Sequence, residues 1–76
     1  MKVWITKYAL TSGITEHDAE PCGDDMVKYG LMQYAHGKDW HGSRISALIH
    51  AENMRIAKIA SLKKSIARLE AISFKV

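Results

Sequence analysis

The stretch SRISALIHAENMRIAKIASLKKSIARLEAIS, residues 43–73, decides how this chain folds. Ser43 is a good N-cap, because its hydroxyl can accept from a backbone N–H of the first helical turn. No Pro or Gly follows it, so nothing compels the helix to stop early. Ala, Leu, Ile, Lys and Arg fill the stretch, and most are strong helix formers. A helix of about 30 residues is roughly 45 Å long. The 42 residues before it are too few to cover that length. Part of the helix should therefore project or pair with something else.

The aliphatic residues predict where. Ile59, Leu62, Ile66 and Leu69 recur at 3-4-3 spacing, with Ile at one heptad position and Leu at the other. That combination favours a two-stranded parallel coiled coil, although two heptads are few. The same residues could also pack on the chain's own sheet. Upstream, Ile45, Leu48, Ile49 and Ile56 form a broader stripe of the kind that packs on a sheet. The expectation is that the first half of the helix rests on the head and the second half meets a second chain. Glu52 and Arg55 interrupt the face at i,i+3 spacing, where they can pair with each other.

Residues 1–42 read as strands and turns. Val3 to Leu10 is rich in β-formers, with Val3, Ile5, Lys7 and Ala9 on one face and Trp4, Thr6, Tyr8 and Leu10 on the other. Thr11-Ser12-Gly13 marks a turn. Ile14 to Ala19 returns as a polar strand, expected at an exposed or edge position. Glu20 to Asp25 is a loop by composition, Met26 to Tyr29 a short strand, and Leu31 to Ala35 its continuation or partner. His36 to Asp39 turns, and Trp40-His41-Gly42 leads into the helix. The predicted fold is α+β in a single domain, residues 1–76. A small antiparallel sheet of three to four strands, for which an SH3-like half-barrel is one form, precedes one long C-terminal helix.

Seventy-six residues bury a marginal core, and a chain this short usually needs a disulfide, a metal or a partner subunit. Cys22 is the only cysteine, so no internal disulfide forms. The opening residues lack the apolar core of a signal peptide, and no apolar run reaches the roughly 18–20 residues of a membrane span. The cytoplasm is the expected compartment. The net charge of +3 is uneven: residues 1–42 carry −2 and residues 43–76 carry +5. Opposite halves can attract within a chain or across a dimer, and a basic tail can meet a polyanion.

Several stretches resemble a group of uncharacterised small proteins from phages and prophages of enteric bacteria. They are Val3 to Thr11 with Gly13-Ile14, then Gly37-Lys38-Asp39-Trp40-His41, then Met54-Arg55 and Lys58 to Lys64. The resemblance covers the two ends and covers residues 16–35 poorly. It implies a phage-derived cytoplasmic protein with a small β head and a helix, and it brings no activity with it.

The chemistry-bearing residues form no strong motif. Arg55, Lys58, Lys63, Lys64 and Arg68 are the residues that could bind a polyanion, but they spread around the helix circumference. His17, His36, His41, His50 and Cys22 lack the spacing of a metal site. Cys22 lies beside Asp24 and Asp25, acids expected to suppress its thiolate. Trp4, Tyr8, Tyr29, Tyr34 and Trp40 read as the core of the head, with an aromatic binding platform as the alternative. No catalytic residues, cofactor or metal are expected. The leading expectation is a non-catalytic interaction module and a homodimer, joined through Ile59, Leu62, Ile66 and Leu69. A nucleic-acid-binding accessory protein using the basic helix is the alternative.

Overall fold

The computed structural model describes residues 1–75. Five strands precede one helix: β1 (Lys2–Ile5), β2 (Thr15–Pro21), β3 (Met26–Tyr29), β4 (Gln33–His36), β5 (Trp40–His41) and α1 (Arg44–Glu70). A 3-10 turn, Gly37–Asp39, joins β4 to β5. All neighbours pair antiparallel in the order β4-β3-β2-β1-β5. This meander, with a 3-10 turn before its last strand, is an SH3-like half-barrel. The α+β fold and the long terminal helix agree with expectation. The fifth strand is the two-residue segment that read only as a lead-in to the helix.

Alternation fills the barrel. Val3 and Ile5 of β1 are buried together with Ala19, Val27, Tyr29 and Ala35, and Trp40 packs against them. Three other expectations for the head are corrected. First, β1 ends at Ile5 and does not run to Leu10; residues 7–12 turn. Thr6 leaves the ladder to hold the barrel shut. Its N–H donates to Asp39 O at 2.9 Å and its hydroxyl to Lys38 O at 3.0 Å, which satisfies a fully buried polar residue.

Second, β2 is a central strand, although its polar composition suggested an edge. Thr15 to Asp18 pair with β1, and Ala19 to Pro21 pair with β3. The strand changes partner at Ala19, whose small side chain lets the sheet close over it. Its acids survive centrally because they all point outward: Glu16, Asp18 and Glu20 are exposed. The same pairing draws Glu20 and Pro21 out of the expected loop. Third, the aromatics are not the core as a group. Tyr29 is buried and Trp40 packs on the core, Trp4 and Tyr34 are half-buried, and Tyr8 is exposed.

The turns are latched by backbone. Asp25 O accepts from Gly37 N–H at 2.8 Å and from the Trp40 indole at 3.2 Å, tying the β2–β3 loop to the 3-10 turn. Gly37 has φ +51°, and a Cβ there would stand 3.5 Å from Asp25 Oδ2. Left-handed backbone favours glycine at this point.

The helix begins as its sequence implies. Ser43 accepts from Ser46 N–H at 3.1 Å. It ends at Glu70, slightly before the expected Ser73, with Ala71 N–H returning to Ala67 O. No helix among the described residues is long and apolar enough to cross a membrane.

Candidate interaction surface along the helix

The helix roots on the outer face of the sheet and stays out of the barrel. Cross-strand pairing puts Trp4 beside Glu16 and His41, the face opposite Val3 and Ile5. His41 meets the first helical turns. Its Nδ1 lies 3.0 Å from Ser46 Oγ, and its ring centroid is 4.9 Å from that of His50. Burial and the neighbouring His50 lower the His41 pKa, with a smaller opposing pull from the Lys38 backbone. His41 Nε2 is buried without a hydrogen-bond partner among the described residues, which also favours the neutral ring.

Ala47 is the one buried residue of the helix, and His50, Ala51 and Met54 are half-buried. Those four share one face at i, i+3, i+4 and i+7. This corrects the expectation that Ile45, Leu48, Ile49 and Ile56 rest on the head. All four are exposed, by 51–72%. The small Ala47 permits the close approach to β1 and β5 that the bulky aliphatics would prevent. Beyond Met54 the helix touches nothing: every described residue after it is exposed. The molecule is accordingly 59 Å long and 25 Å wide, with a radius of gyration of 17.3 Å. A compact domain of this length has a radius near 11 Å.

What the helix leaves in water is an ordered stripe. Ile59, Leu62, Ile66 and Leu69 are exposed by 40–68% and lie along one side. One unbroken helix carries them and the upstream residues. The 3-4 alternation therefore continues back through Arg55, Glu52 and Leu48 to Ile45. Midway, Glu52 and Arg55 pair with each other, the Arg55 Nε standing 3.1 Å from Glu52 Oε1. The Arg55 hydrogen bonds hold the Glu52 carboxyl below the usual carboxylate range, and the same contact raises the Arg55 guanidinium. A shallow apolar dip lined by Ile56, Ile59, Ala60 and Lys63 sits on the stripe.

At the root, an open groove of about 350 Å³ separates the helix from the sheet. Trp4, Ile14, Glu16, Arg44 and Leu48 line it. Leu48 belongs to both groove and stripe, so the stripe starts at the head and, past the Glu52–Arg55 pair, runs to the end of the helix. No signal for this groove was legible in the chain, because Trp4 and Leu48 are far apart in sequence.

The other singled-out residues do not assemble. Lys58, Lys63, Lys64 and Arg68 are exposed on several sides of the helix, and Arg55 is engaged by Glu52. Among the described residues no three His, Cys, Asp or Glu side chains gather as a metal would need. His17 is occupied by Thr15 Oγ1 at 3.0 Å and by the Tyr29 ring, centroid to centroid 4.8 Å. Cys22 is half-buried in the loop after β2, its N–H donating to Met26 O. Neither ion pair among the described residues, Lys2–Glu16 or Glu52–Arg55, joins head to helix. Comparison with protein-family models, curated proteins and solved structures found no match.

Proposed function

We propose that this protein is a non-catalytic interaction and oligomerisation module, a homodimer joined through the stripe of Ile59, Leu62, Ile66 and Leu69. One observation carries the reading. The helix places Ile59, Leu62, Ile66 and Leu69 in one ordered line and its own head covers none of them. Contiguous exposed apolar surface on a soluble domain marks a contact site. The barrel closes its core without the helix, so the helix is free to serve another chain. The resemblance to phage and prophage proteins supports a cytoplasmic role in an infected or lysogenic cell.

Sedimentation equilibrium over a wide concentration range tests the proposal. A dimer that Leu62→Asp converts to monomer, with helicity partly lost, is the expected result. A strict monomer at high concentration would sink it. The nucleic-acid alternative is weaker, because the basic side chains face several directions and Arg55 is paired. Binding to mixed-sequence duplex at low salt, where phosphate contacts are strongest, would revive it.

A further inference from the structure

We infer that two copies associate with their helices antiparallel, so that the C-terminal end of each fills the groove at the root of the other. The inference rests on the dimer reading above and adds orientation and a second contact site.

The argument begins with the heptad register. Continuous 3-4 alternation puts Ile45, Glu52, Ile59 and Ile66 at position a and Leu48, Arg55, Leu62 and Leu69 at position d. Ile at a and Leu at d favours a parallel pair when nothing else intervenes. Here charge intervenes. In a parallel pair identical residues face each other, so Glu52 would meet Glu52 of the partner subunit and Arg55 would meet Arg55 of the partner subunit. Two adjacent layers of the seam would each hold like charges out of water, which is costly. The flanks repeat the problem. Parallel pairing sets g against the following e of the other chain. That sets Lys58 against the partner's Lys63, and symmetry makes the contact twice.

Antiparallel pairing removes these conflicts. With full overlap, Ile45 faces the partner's Leu69 and Leu48 faces the partner's Ile66. Glu52 and Arg55 face the partner's Leu62 and the partner's Ile59. They keep their own ion pair, and their aliphatic stems cover the opposing side chains. The one like-charge approach left is Lys58 to the partner's Lys58 near the two-fold axis, at an exposed flank where long stems can splay.

The ends then match. Residues beyond Leu69 overrun the partner's first helical turn and reach its groove. Two of them are large, apolar and exposed, Ile72 by 52% and Phe74 by 89%. The groove offers Trp4, Ile14 and Leu48. Charge agrees in sign. Residues 1–42 carry a net −2, although Lys2 pairs with Glu16, Lys28 lies across from Glu20 and Arg44 lines the groove, and residues 63–75 carry four basic side chains against one acid. An antiparallel pair sets that basic end against the partner's net-acidic head. A parallel pair sets basic end against basic end and head against head. The head does not obstruct the seam, because it sits on the Ala47–His50–Ala51–Met54 face.

Disulfide trapping tests orientation in a Cys22→Ser background. Ile45→Cys and Leu69→Cys are placed on separate chains; both sites are exposed, so neither change disturbs the fold. Mixing and mild oxidation should give the 45–69 heterodimer and little of either homodimer. Homodimers linked at 45–45 and 69–69 mean a parallel pair and overturn the inference while leaving the dimer intact. A dimer giving no link at all overturns the proposed register. Light scattering on the reduced proteins separates failure of the dimer reading, since a monomer there removes both. Phe74→Ala should weaken dimerisation about tenfold with monomer helicity unchanged. An unmoved dissociation constant would overturn the groove contact.

Discussion

The head and the helix solve the problem of a short chain in opposite ways. The head buries what it has: Val3, Ile5, Val27 and Ala35 are at most 2% exposed, and its latches close around Asp25 and Thr6. The helix holds most of the aliphatic residues and buries only Ala47. The difference teaches that aliphatic content alone does not locate a core. In the head, strand pairing brings distant residues together, so few apolar side chains suffice. In the helix, local hydrogen bonds hold the backbone and leave the side chains to face water or a second chain.

Substitutions can break this contrast, and the largest effect should come from the barrel. Ile5→Ala should destabilise the head by about 2–5 kcal/mol, the usual range for emptying a buried aliphatic site. Leu62→Ala should leave the thermal stability of the head nearly unchanged while weakening self-association. Denaturant melts followed by Trp fluorescence, set beside sedimentation, read both. Equal destabilisation by the two variants would mean that helix and head fold as one packed unit.

The next effect lies at the joint. Ala47→Leu forces a larger side chain into a fully buried site and should cost about 1–3 kcal/mol. Hydrogen exchange in the first helical turns should rise while β2 and β3 stay protected. If instead the whole sheet lost protection, the joint would be part of the core. Ser43→Ala removes the cap and should cost about 1 kcal/mol, read as lost helicity by circular dichroism. Ser43→Asp should restore it.

The smallest effect sharpens the joint by pH. The folded protein lowers the His41 pKa, so folding favours the neutral ring. The unfolded chain then binds the proton more tightly. The stability contributed by neutral His41 is fully present above 6.5, the ordinary imidazole value, and is lost as pH falls through the lower folded value. The melting temperature should fall on acidification, and His41→Asn should flatten that dependence. A profile unchanged by the substitution would assign the titration to another group.

Much of the helix was legible in its residues. Ser43, the absence of later Pro or Gly and the 3-4 spacing predicted one helix, and Glu52 with Arg55 at i,i+3 predicted their ion pair. Alternation separated Val3 and Ile5 from Trp4 correctly. The misreadings share a cause. The end of β1 at Ile5 depends on where the 3-10 turn hooks Thr6, and the central place of β2 depends on two partners far away in sequence. The groove needed Trp4, Ile14 and Leu48 to converge, which no local pattern announces.

Local sequence is enough to make the stretch after Ser43, Arg44–Glu70, helical and amphipathic, because capping, propensity and periodicity act within a few residues. Only the tertiary structure decided which face of that helix meets the sheet, and that it meets the outer side. That choice follows steric fit between elements: Ala47 is small enough to lie against β1 and β5, and the larger aliphatics on the other faces are left for a partner.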